Sequence, residues 1–325
     1  MRFLGNRIVK TAVAVFLTAF ICQLIGWPPV FAVITAIVTL EPTVSDSIKK
    51  GLVRFPASAI GSFYAVLFIF IFGNSPITYT LAATLTIITC YRLKLHDGLL
   101  VATITAVAMI EVVHDHFLMS FLIRLGTTTI GITVSTLVNL LIFPPNFMRD
   151  INKNLQTIYH DLGQTILSLV QQESYVMKEN INKVNHVISK TEQLIRYEAS
   201  DMGYFRLDNK KETELARAET ELEKLRLIRY HINNLQDIQL KDTNLNVQNK
   251  HIIIQAVEDI AYYMIGKLEN VPTSNEQQLR QIMESYWRSS HTPTKTNVSR
   301  LPTELVLLYE LLSVIYLVEG ITRSK

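Results

Sequence analysis

Six apolar segments crowd into the first 145 residues, at approximately 11–26, 29–40, 57–72, 77–91, 99–113 and 125–143. No other feature limits the fold as much. Inside a bilayer the backbone must satisfy its own polar groups, and apart from a closed barrel only helices do so. One crossing takes about 20 apolar residues. The third and sixth segments reach that length, whereas the second and fifth run only to Glu41 and Glu111. Beside four clearer neighbours, these two read as spanning helices with a polar end.

Charge then divides the chain. Residues 1–145 carry nine Lys or Arg and five Asp or Glu, and the remainder carries 22 and 23. The composition therefore predicts an all-α protein with a transmembrane domain over 1–145 and a charged helical domain over 146–325. A net charge of +3 on 325 residues gives no basic stripe for nucleic acid, so the lipid bilayer is the expected partner. Cys22 and Cys90 both lie in apolar segments and read as packing residues with free thiols. Arg2, Arg7 and Lys10 before an apolar run resemble a signal peptide, but no small-x-small cleavage site follows, so the run reads as the first membrane helix.

The connections alternate in charge. Arg2, Arg7 and Lys10 precede the first segment, Lys49, Lys50 and Arg54 follow the second, and Arg92 and Lys94 follow the fourth. The links after the first and third segments, 26–28 and 73–76, carry no charge. The positive-inside bias places both termini and the second domain in the cytoplasm.

A copy of the region around Glu41 occurs seventy residues on. Glu111 matches Glu41, Arg124 matches Arg54, Gly131 matches Gly61, Thr105-Ala106 matches Thr35-Ala36, and Ala102 matches Ala32. With a two-residue shift, Leu85-Thr86 and Cys90 match Leu17-Thr18 and Cys22. Two copies of a three-helix unit must be inverted relative to each other, and inverted repeats with short segments at matching places point to a transporter site between them. Chance matching among apolar residues is the competing explanation. Between Glu41-Pro42-Thr43 and Arg54, the polar residues Ser45, Asp46, Ser47, Lys49 and Lys50 read as a basic hairpin before the third segment. Glu41, Glu111, Arg54 and Arg124 are the candidate transport residues. An arginine grips a carboxylate through two parallel hydrogen bonds, and one stands in each copy. At least one of the two acids is expected to carry a proton during the cycle.

Ala57, Gly61 and Ala65 in the third segment, and Thr127, Gly131, Ser135 and Asn139 in the sixth, form small faces that let helices approach closely. Gln23 and Asn139 read as buried polar groups within helices. His114-Asp115-His116 reads as a solvated outer loop rather than a metal site. No phosphate loop, nucleophile elbow or HExxH arrangement occurs, so neither catalysis, a cofactor, a metal nor direct ATP drive is expected.

The run Val38-Thr39-Leu40-Glu41-Pro42-Thr43, with Lys50-Gly51-Leu52-Val53-Arg54 and Ala59-Ile60-Gly61, resembles the aromatic acid exporter family. The resemblance is to its short, single-copy members from Gram-positive bacteria. More distantly the layout is similar to fusaric acid resistance exporters and aluminium-activated malate channels. It implies six membrane helices, a cytoplasmic helical domain and organic anions as cargo. Glu41, Pro42, Thr43, Arg54 and Gly61 are the residues that match the family's motif.

Past Pro144-Pro145, with Asn146 as the expected N-cap, helical periodicity continues through 151–169, 184–195, 215–232 and 252–265. Ser274-x-x-Gln277 reads as a capping box for a further helix, and 293–297 as a polar linker. The stretch 301–321 is apolar enough for a seventh span, but Glu304, Glu310, Glu319 and Pro302 favour a bundle helix. The heptad-like seam over 215–232 reads as intramolecular core, with a homodimer zipper as the alternative.

The sequence thus predicts a membrane transporter that exports aromatic or other organic acids, passively or coupled to an ion gradient. An organic-anion channel whose field is set by Arg54, Arg92, Lys94 and Arg124 is one alternative. The other is a non-transporting anchor whose helical domain binds a partner or senses a ligand.

Overall fold

The computed structural model describes residues 2–112, 117–142, 146–171, 174–203, 209–235, 245–268, 273–290 and 302–322, with single positions at 238 and 243. The described residues are helical throughout, with no strand among them. They fall into two compact units. One comprises residues 1–146 with a short segment from Ser200, and the other comprises 147–199 with 206–325. His114-Asp115-His116, Pro144-Pro145 and the linker at 293–297 lie outside the described residues.

The first unit holds α1 (Arg2–Ile25), α2 (Val30–Thr39), α3 (Val44–Phe72), α4 (Pro76–Arg92), a 3-10 turn (His96–Gly98), α5 (Leu99–Val112) and α6 (Phe117–Leu141). The stretch read as a hairpin at 45–50 is the start of α3, one continuous helix of 29 residues. Thr43 makes this possible by capping the helix, its hydroxyl accepting from the Asp46 N–H at 2.9 Å. Asp46 then sits in the first turn, where a negative charge suits the helix dipole. One buried stripe of small residues runs from Ser45 and Ser47 through Gly51, Arg54, Ser58, Gly61 and Ala65 to Ile69, so the polar start and the apolar end share a packing face. Pro56 sits inside the helix at the expense of one backbone hydrogen bond. At the far end Gly73 adopts φ +61° and donates to the Ile69 carbonyl, the left-handed stop that glycine permits.

The helices of this unit exchange partners. α3 packs on α5, and α6 packs on α2, while α3 and α6 also contact each other. Two glycines set these distances. A Cβ on Gly61 would collide with the carbonyl oxygen of Ala102 on α5, and one on Gly131 would lie 2.5 Å from the carbonyl oxygen of Ala32 on α2. Asn139 is buried as the sequence suggests, but Gln23 is exposed on the outer face of α1.

The second unit holds α7 (Met148–Gln171), most of α8 (Ser174–Met202), α9 (Asn209–Leu235), α10 (Val247–Ile265), α11 (Thr273–Ser290) and α12 (Thr303–Thr322). α7 packs on α10 and α9, and α12 on α9 and α11. The buried series Met177, Ile181, Val184, Ile188, Thr191 and Ile195 gives α8 a heptad face. Glu192–Arg226 at 3.3 Å and Arg229–Asn185 at 2.7 Å tie it antiparallel to α9. Asn146 does not cap α7. The helix starts at Met148, and the preceding Phe147 N–H donates to the Glu198 carboxylate at 2.9 Å. α11 begins at Thr273, which puts Ser274 inside the helix rather than at its cap.

Among the described residues, four helices are long and apolar enough to cross a membrane: α1 over Arg7–Ile25, α3, α6 and α12. α2 and α5, with 10 and 14 residues, fall below the length of a full crossing, and α4, with 17, stands at its lower bound. α12 also carries a buried acid, Glu310, which pairs with the His231 ring and accepts from Asn234 Nδ2 at 2.9 Å.

Candidate anion site

The site grows from the break between α2 and α3. α2 ends at Thr39, Leu40 turns to extended backbone, and Pro42 cannot rejoin the helix, so the last carbonyls of α2 need partners from elsewhere. Arg54, on the buried face of α3, supplies one for Val38. Its Nη1 donates to the Val38 carbonyl at 3.1 Å and its Nη2 to Glu41 Oε1 at 2.8 Å. Nε reaches the Asp97 carbonyl at 3.3 Å, which joins α3 to the turn before α5. Lys50 adds a second ion pair to Glu41 at 3.2 Å. Glu41 and Arg54 are therefore brought together, and each nitrogen of Arg54 has a partner.

The same turn is clamped from α6. Asn139 Nδ2 lies within 3.0 Å of the carbonyls of Glu41 and Thr43 and 2.9 Å from Ser47 Oγ. Its own Oδ1 accepts from Lys10 Nζ at 2.8 Å, which explains how a lysine is buried on α1. The backbone N–H groups of Val44 and Ser45 donate to the Asp201 carboxylate at 3.3 and 2.9 Å. Asp201 belongs to the short segment assigned to this unit, and with Thr43 it completes the α3 N-terminus. Burial holds the Asp201 carboxyl above the usual carboxylate range, against the opposing effect of those two N–H donors.

Arg124 is different. The sequence puts it just before an apolar segment, yet the helix begins at Phe117 and Arg124 lies two turns inside, only 3% exposed. Nη2 donates to the Thr105 hydroxyl on α5, and the Phe31 ring of α2 covers the guanidinium at 4.4 Å from its centroid. Nε and Nη1 have no hydrogen-bond partner among the described residues. An unpaired buried charge is among the most costly features of a fold, and such groups in membrane helices mark ligand and ion paths.

The Thr105 hydroxyl that meets this guanidinium belongs to a cluster of buried hydroxyls. Ser58 Oγ lies 3.5 Å from Thr105 Oγ1 and 3.3 Å from Thr128 Oγ1. Glu111 is not joined to Arg124. It stands exposed at the end of α5 and accepts from the Tyr79 hydroxyl of α4. Thr43 serves as a helix cap and Pro42 as a break in the chain, while Gly61 and Gly131 are points of close approach; none of these four carries charge. No cluster of His, Cys, Asp and Glu that could hold a metal occurs among the described residues.

Sequence reasoning missed Lys10, Phe31, Tyr79, Thr105 and Asp201. Thr105 stood in the repeat but had no role there. Phe31, Tyr79 and Lys10 give no local signal, and Asp201 lies 156 residues from Ser45 along the chain.

Residues 2–142, the extent of the six apolar helices, match the family described as aromatic acid exporter family member 1. Over nearly its full length the chain is similar to a UPF0421 protein of Oceanobacillus iheyensis, at 44% identity across 98% of this chain and 94% of the relative. The chain belongs to the UPF0421 family. A Bacillus cereus UPF0421 protein is 38% identical over 96% of this chain and 90% of its own. A Staphylococcus haemolyticus relative is 34% identical, covering 96% of both. These UPF0421 relatives come from Gram-positive bacteria, and the model matched over residues 2–142 describes an exporter family.

Proposed function

We propose that this UPF0421 protein exports organic acids, aromatic carboxylates foremost, and that Arg124 is the group that holds the cargo anion. The observation that carries this reading is the buried guanidinium with Nε and Nη1 unpaired. A carboxylate supplies the missing acceptors, and the Phe31 ring over the guanidinium gives an aromatic cargo an apolar neighbour. Arg54 already has a partner on each of its three nitrogens, namely Glu41 and two carbonyls, whereas Arg124 has a hydrogen-bond partner on Nη2 alone, which favours Arg124 over Arg54 as the cargo cation.

In this reading all six helices of the first unit cross the cell membrane as two inverted three-helix repeats. Residues 1–145 form the transmembrane domain, and 146–325 form a cytoplasmic α-helical domain. The exchange of partners between α3, α5, α6 and α2 supports it. Each short helix completes its crossing with the polar turn beside it, as helices at transporter sites do. α12 packs in the second unit through Glu310 and is assigned there. The test is reconstitution of the full chain in liposomes with a panel of aromatic and aliphatic acids. Saturable flux of carboxylates supports the proposal. Large, non-saturating currents would instead identify a channel, and absence of flux for every acid would leave an anchor or sensor.

A further inference from the structure

The two copies of the repeat treat equivalent groups differently. In the first, Arg54 is closed on Glu41 and on the Val38 carbonyl. Seventy positions on, the counterparts are Arg124, Glu111 and Ala108, and neither bond is made. Arg124 instead reaches the Thr105 hydroxyl, the counterpart of Thr35. Thr105 and Ala108 are three residues apart, about 4.5 Å of helix, a distance an arginine side chain covers by changing rotamer. Glu111 is held by Tyr79. By the 68-residue offset that relates α4 to α1, the counterpart of Tyr79 is Thr11, so the first copy has no phenol to hold Glu41 away from its arginine.

We propose that Glu111 is an internal competitor for the cargo on Arg124, and that Tyr79 is the positioning residue that holds it off while cargo is bound. The proposal rests on Arg124 being the cargo site. When Tyr79 lets go, the Glu111 carboxylate takes on Arg124 the place that Glu41 already holds on Arg54, and the cargo anion departs from a cation that has been satisfied. A carrier needs such a step. A desolvated arginine binds an anion strongly, and turnover requires that the anion also leave. An acid on the neighbouring helix competes at the high effective concentration of an intramolecular partner, so it displaces a ligand that bulk anions would not. The pairing is an exchange of hydrogen bonds alone, with no bond broken and no proton transferred.

Binding of radiolabelled benzoate to the full chain in detergent, with benzoate flux in liposomes, tests this. Tyr79→Phe frees Glu111 to compete and is expected to weaken benzoate about tenfold, the equivalent of 1.4 kcal/mol. Glu111→Gln removes the competitor, so affinity stays at or above that of the wild type while flux falls about tenfold because release is slowed. The double variant Tyr79→Phe/Glu111→Gln then binds as well as Glu111→Gln alone. A double variant as weak as Tyr79→Phe would show that the phenol only supports the fold, and it would overturn the proposal. So would wild-type flux in Glu111→Gln, a result that stands even where Tyr79→Phe does not fold. If the wild type binds benzoate no better than Arg124→Gln does, the cargo assignment itself fails, and that outcome is distinct from the other two.

Discussion

Ser58 and Thr128 place their hydroxyl oxygens 3.3 Å apart across α3 and α6, and 70 positions separate them in the chain. The same offset relates Arg54 to Arg124, Glu41 to Glu111 and Gly61 to Gly131. Positions equivalent under a twofold operation touch each other only at its axis, and contacts away from the axis occur in reciprocal pairs. The glycines form such a pair. Gly61 abuts Ala102, and Gly131 abuts Ala32, the counterpart of Ala102. Chance identity among apolar residues does not account for reciprocal contacts, so these support two related three-helix copies around an axis between α3 and α6.

Gly61→Ala and Gly131→Ala each put a methyl group against a backbone carbonyl that cannot move aside. Each is expected to cost about 1–3 kcal/mol, as overpacking does. The readout is lower thermal stability in detergent, with Gly5→Ala as the control, since a Cβ there meets nothing within 4 Å. Unchanged stability in both variants would show that the helices are not this close.

Glu41→Gln leaves Arg54 buried beside two carbonyls with no counter-charge. The pair is 7% and 16% exposed, so the loss is expected to approach the 3–5 kcal/mol of a broken buried ion pair. Glu41→Gln/Arg54→Met removes both charges and should recover part of that loss. Chemical denaturation of the three proteins checks the order, and a double variant less stable than Glu41→Gln would contradict it.

Much of this was legible in the sequence. The apolar helices of the first unit and the offset of seventy follow from residue order; the ion pair of Glu41 with Arg54, two residues expected to act in transport, does not. The continuity of α3 did not, because Ser45, Asp46, Ser47, Lys49 and Lys50 carry the composition of a loop. Only the packed face shows that both serines are buried, Ser47 against Asn139 and Ser45 beside Asp201, while Lys49 is exposed. The different states of Arg54 and Arg124 were equally hidden. Their sequence contexts are alike, and the difference arises from Tyr79, Thr105 and Phe31 on three other helices. Asp201 could not be found from α3 at all.

Asp201 gives a pH dependence with a defined sign. Its folded pKa is raised above the unfolded value of about 3.9. The folded chain therefore keeps this proton longer than the unfolded chain does. The contribution to stability is fully present below the unfolded value and is lost as pH rises through the folded one. Asp201→Asn removes the titration and should flatten that fall in a stability profile from acid to neutral pH. A profile as steep as that of the wild type would assign the slope to another group.

Topology is tested by single cysteines in a background lacking Cys22 and Cys90. Asn74→Cys, in the uncharged link after α3, should react with an impermeant reagent in intact cells, and Lys49→Cys only after permeabilisation. Ser47, in the same charged stretch, is buried and unsuitable as a reporter. The reverse pattern would invert the assignment of both termini.

The central claim is that Arg124 holds the cargo, and benzoate efflux from proteoliposomes carrying equal amounts of inserted protein tests it most directly. Wild-type efflux should saturate. Arg124→Lys, which keeps the charge but loses the planar fork, should raise KM about tenfold, and Arg124→Gln should abolish saturable efflux. Normal kinetics in a well-inserted Arg124→Gln protein would contradict the account and leave this arginine a structural role.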